Sequence, residues 1–160
     1  MERLLQMAAT EGILVEYVPL LPSKGLLGLY LRTPHGAAIV LDSSLPANPR
    51  LERCVMAEEL GHHFTVPVTS TFVACTSATA RTSYRRDEAR ALRWACDHLM
   101  PLDQFLQAMR EGVSTVEELA DYFYVTPWMV HARFRFLPSH LCRCLLLCRE
   151  LTCLGCPEAA

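Results

Sequence analysis

The sequence predicts an α+β fold in which a small antiparallel sheet is followed by a series of helices. Two observations carry that expectation. Apolar runs at residues 26–32 and 37–41 are joined by the turn-rich Thr33-Pro34-His35-Gly36, the pattern of a β-hairpin. Further on, residues 51–64 and 84–99 are helix-length segments, each with a proline just beyond its end, Pro67 and Pro101. The 160 residues, 51% apolar and 20% charged, suit one globular domain that buries a core without staples.

The elements follow in order. Residues 2–10 read as a short helix stopped near Gly12, and residues 13–20 as a β-prone run ending at Pro19 and Pro22. After the hairpin, residues 42–49 form a loop punctuated by Pro46 and Pro49. The helix over 51–64 is closed by β-branched Thr65 and Val66. Residues 66–83, rich in Thr, Ser, Val and Ala with no clear period, read mostly as loop. The helix over 84–99 places Glu88, Ala91, Leu92, Ala95 and Leu99 along one stripe.

Residues 103–110 form a short helix closed by Gly112. Ser114-Thr115-Val116-Glu117 matches a capping box, and Thr126-Pro127 supplies an N-cap with proline at the first helical position. Residues 1–136 are thus expected as one domain, with a helix-turn-helix-like subregion at 114–136. Residues 137–160 are expected as a cysteine-rich tail.

A net charge of −2 offers no global attraction to nucleic acid or an anionic membrane. Arg133 and Arg135 could face a DNA groove. Glu117, Glu118 and Asp121 weigh against that, and Trp128, Met129, Phe134 and Phe136 read as core. No secretory signal and no apolar run of about 18 residues is present, so a cytoplasmic protein with mostly reduced cysteines is expected. Cys153 and Cys156 have metal-knuckle spacing, with Cys142, Cys144, Cys148 and His140 nearby. Reduced thiols on an apolar segment explain them as well.

The chemistry concentrates at Ala57-Glu58-Glu59-Leu60-Gly61-His62-His63. The segment looks like the zinc-peptidase helix H-E-x-x-H with glutamate in place of the first histidine. Leu51, Val55, Glu58 and His62 share one helical stripe that starts apolar and is expected to face the core. A buried carboxylate beside an imidazole calls for a cation, and a metal ion is the economical one. Glu59, rotated about 100° round the helix, is placed to act as a base on water. A competing register pairs Glu59 with His63, but its stripe through Glu52 and Met56 is more polar and expected to face solvent. Without other support, an exposed acidic helix with incidental histidines would explain the pattern.

Residues 53–65, Arg53-Cys54-Val55-Met56-Ala57-Glu58-Glu59-Leu60-Gly61-His62-His63-Phe64-Thr65, resemble the active-site helix of the ImmA/IrrE family of metallopeptidases. A second block agrees in order: Glu88, Ala91, Trp94-Ala95 and Leu99-Met100-Pro101. The resemblance covers roughly residues 10–136 and implies a zincin-like domain with Glu88 as third metal ligand beside Glu58 and His62. It implies Glu59 as general base and one divalent metal ion, Zn²⁺ with Mn²⁺ as the alternative. It also implies a metallo-endopeptidase, a zinc-type hydrolase, whose protein substrate is a regulator such as a phage-type helix-turn-helix repressor. The departure is Glu58: two carboxylates and one imidazole make the metal a weaker Lewis acid than the usual set. A catalytically silent regulatory module, or a DNA-binding regulator, remain alternatives.

Overall fold

The computed structural model describes residues 1–20, 25–66 and 78–138. Helix α1 spans Glu2–Thr10 and is followed by β1, Ile13–Val18. The hairpin comprises β2, Gly28–Thr33, and β3, Gly36–Asp42, and a short 3-10 turn at Leu45–Ala47 leads into α2, Pro49–Thr65. The remaining helices are α3, Ala78–Leu99; α4, Leu102–Arg110; α5, Val116–Phe123; and α6, Pro127–Arg135. The architecture is α+β, and among the described residues no helix is long and apolar enough to cross a membrane.

The sheet corrects the expectation of an antiparallel one. Its order is β1-β3-β2, with β2 antiparallel to β3 but β1 parallel to it. A meander would have left Gly28 and Arg32 on the middle strand. Inserting β3 between its neighbours instead centres the sheet on Ile39 and Leu41, both fully buried. Burial of those two side chains accounts for the preference.

Helix ends follow local chemistry. The Asn48 side chain accepts from Leu51 N–H and Pro49 opens α2, two residues before the expected start. The capping box at α5 uses Thr115 and Glu118, one residue beyond the expected pair, and both of its hydrogen bonds form. Thr126 caps α6 with Pro127 next, as the sequence predicts. Helix α3 begins at Ala78, so the loop expected over 66–83 is helical backbone from Ala78 onward. Residues 67–77 of that loop lie outside the described residues, as do 139–160, including His140 and the tail cysteines.

Helix α2 lies between the sheet and α3, which is why seven of its residues, from Cys54 to Gly61, are buried on more than one face. Its N-terminal half grips the α5–α6 turn. Arg53 Nη1 donates to the carbonyls of Phe123 (2.6 Å) and Tyr124 (2.8 Å). Arg50 pairs with Asp121 at 2.5 Å and lies over the Tyr124 ring. The 114–136 hairpin is thereby built into the domain, its apolar residues joining a core cluster that runs from Leu4 to Leu137.

Arg133, a candidate groove contact in sequence, is 2% exposed and pairs with Asp97 of α3. It is a structural cation, unavailable to a duplex. Trp128, expected in the core, is 53% exposed. Replacing Asp97 with alanine should strand the buried guanidinium and cost about 2 kcal/mol, less than for a fully buried pair because Asp97 is half exposed. Urea denaturation reads this directly, and an unchanged midpoint would show that the pair contributes nothing.

Candidate metal centre

Glu58, Glu59 and His62 come from consecutive turns of α2, and Glu88 from α3. The two helices meet at Gly61, where an added Cβ would lie 2.3 Å from the Ala91 carbonyl oxygen. That backbone contact brings the helices close enough for Glu88 Oε1 to reach within 3.6 Å of His62 Nε2. Gly61 therefore has a packing cause, and the packing sets the site's width.

Burial pushes the Glu58 carboxyl up to about 7, and the neighbouring Glu88 adds to the shift. Glu59 rises further, to about 8, again mainly through burial, with Glu58 and Glu88 contributing and the Tyr30 backbone N–H offsetting part. Burial lowers the His62 imidazole from its ordinary value, while Glu88 and Asp87 oppose the change. A neutral imidazole is the form that binds a metal.

Glu59, not Glu58, is the more buried of the pair, at 9% exposure. The Glu52, Met56, Glu59, His63 stripe was expected to face solvent, yet Met56 is fully buried as well. Strand β2 covers that side. His63 is engaged there, its Nδ1 2.9 Å from the Tyr30 hydroxyl and its Nε2 3.5 Å from Glu11 Oε2. The two adjacent histidines thus have separate surroundings, and His62 is the one beside Glu88.

A row of rings runs from Tyr30 through His63, Phe64 and Trp94 to His98, with centroids 5.0–5.6 Å apart. It ties β2, α2 and α3 together beside the site. Sequence reasoning missed three residues: Gly28 and Tyr30 on β2, and Asp87, 6% exposed, which bears electrostatically on His62. Only Gly28 left a signal, since a glycine inside a strand run often marks close backbone approach.

Residues 8–135 match the family model of a peptidase family described as the IrrE N-terminal-like domain. The chain belongs to that family. No curated protein and no solved structure matches it significantly. Membership in the IrrE N-terminal-like family points to metal-dependent, protease-like or regulatory function. Among the described residues, no three His, Cys, Asp or Glu side chains converge into a closed metal cage. The donor set nonetheless suits a cation. Glu59 is buried and Glu58 half-buried, Glu58 and Glu88 add to the raised proton affinity of Glu59, and neither Glu58 nor Glu59 has an ion pair with lysine or arginine among the described residues. The residues of this IrrE-like domain fit a divalent ion in charge and donor type.

Proposed function

We propose that the chain is a metal-dependent endopeptidase that hydrolyses a peptide bond in a regulatory protein. A helix-turn-helix repressor of a phage or mobile element is the candidate substrate. The observation that carries this reading is the His62–Glu88 approach across α2 and α3, with Glu59 buried and Glu58 half-buried on the same helix. Glu58, His62 and Glu88 would hold the ion, Zn²⁺ or the harder Mn²⁺. When bound, it supplies Lewis acidity for water attack on a peptide carbonyl. Glu59 accepts the proton of the attacking water and passes it to the leaving nitrogen. Its raised proton affinity suits a group that must carry a proton between those steps. An extended substrate would pair with the edge strand β2, over which Glu59 lies. The working unit is residues 1–136, in the cytoplasm.

Replacing Glu59 with glutamine is expected to reduce cleavage of such a repressor by about 10²–10⁴-fold while leaving metal content unchanged. His62→Ala should lose the metal itself, read by elemental analysis of the purified protein. A second reading, a regulatory module without catalysis, is favoured by one observation: the described ligands are not closed into a three-residue cage. It predicts that wild type and Glu59→Gln bind the partner equally and that neither cleaves it.

A further inference from the structure

Strand β2 crosses α2 with no side chain at the crossing. A Cβ built on Gly28 would stand 2.7 Å from Glu59 Oε1, 3.0 Å from Glu59 Cγ and 2.6 Å from Val55 Cγ1. Real side chains do not pack that closely, so any other residue must displace Glu59, Val55 or the strand. Gly28 is not among the positive-φ glycines, so the backbone conformation does not require glycine there. Space does. Two residues on, Tyr30 places its hydroxyl against His63, and its backbone N–H lies near enough to the Glu59 carboxylate to offset part of its raised proton affinity.

We infer that Gly28 is a positioning residue for Glu59: its bare Cα lets the carboxylate lie against β2 and accept the Tyr30 backbone N–H. This rests on the reading of Glu59 as the base. A carboxylate held by strand backbone is aimed by the distance between α2 and β2, not by a side chain free to change rotamer. The competing explanation is that Gly28 merely lets the strand pack on Val55.

Amide NMR of the full metal-free chain separates the two. An amide donating to a carboxylate resonates downfield, so Glu59→Ala should move the Tyr30 signal upfield. Gly28→Ala should move the Tyr30 signal the same way, and the double variant should move it no further. A Tyr30 amide left in place by Gly28→Ala, or displaced additively in the double variant, would overturn the inference. If Gly28→Ala does not fold, Gly28→Ala with Val55→Ala relieves the aliphatic contact and keeps the carboxylate clash. In that background an upfield Tyr30 amide supports the inference and an unmoved one overturns it. Zinc uptake of the wild type, measured separately, tests the metal reading. A wild type that takes no zinc defeats that reading and leaves the Tyr30 result standing on its own.

Discussion

Metal-free protein is expected to lose stability as the pH rises from 4.5 to 8, by about 3–5 kcal/mol in total. The cause is a pair of carboxyls largely removed from water, Glu58 raised from 4.5 to about 7 and Glu59 to about 8. In that window the folded chain binds more protons than the unfolded one, so stability falls with pH. The benefit of protonation is complete below the unfolded value of 4.5 and is gone once the pH passes the folded value of about 8. The two shifts are not additive, because Glu88 contributes to both and Glu58 is part of the cause at Glu59. His62 works in the opposite direction: its lowered value makes stability rise as pH increases toward 6.5, by a smaller amount. For a chain of this size the net loss corresponds to roughly 10 °C in Tm. Thermal melts of chelator-treated protein across the window read it, with Glu59→Gln as the variant that should flatten the slope. A melting temperature that stayed level or rose would remove Glu59 from the buried position argued here. Added zinc should reverse the trend, with a stabilisation that grows with pH because the ion needs ionised carboxylates.

The same carboxylates show how far the sequence could be read. Helix α2 was legible because its helix-length run and the Thr65-Val66-Pro67 ending are local signals that need no tertiary partner, although its start at Pro49, capped by Asn48, falls two residues before the expected one. Its faces were not. Periodicity assigns a helix one buried side, and it placed Glu52, Met56 and Glu59 toward solvent. A strand from 30 residues upstream covers that side instead, and Met56 and Glu59 are buried. The hairpin was legible from Thr33 to Gly36, whereas the parallel pairing of β1 with β3 depends on contacts that no local pattern encodes. The choice between His62 and His63 likewise depends on where α3 and Glu11 fall. The 114–136 hairpin was recognisable from its caps. Arg133 was left between two readings because a buried guanidinium and a groove contact look alike until Asp97 is seen beside it.

Gly61→Ala should be the most damaging single-methyl change in the site. In an ordinary helix interior the substitution is favourable by about 1 kcal/mol. Here the new Cβ would lie 2.3 Å from the Ala91 oxygen, 2.8 Å from its carbonyl carbon and 2.9 Å from its Cα. All three are backbone atoms, so no rotamer change relieves the overlap and α2 must separate from α3. Overpacking of this kind costs about 1–3 kcal/mol, with the upper end expected when backbone is the obstacle. Net destabilisation of about 2 kcal/mol should lower Tm by roughly 4–8 °C. His62 adjoins Gly61 and Glu88 lies one helical turn before Ala91, so the separation also widens the 3.6 Å gap between them. Zinc affinity should therefore fall even in variant protein that remains folded. A control distinguishes this from simple crowding of side chains. Adding Ala91→Gly to Gly61→Ala should give no recovery, because the methyl it removes is not what the new Cβ meets. Recovery on trimming residue 91, or a Gly61→Ala protein at least as stable as wild type, would mean that the helices do not touch through backbone at this point. The close approach that pairs His62 with Glu88 would then need another cause.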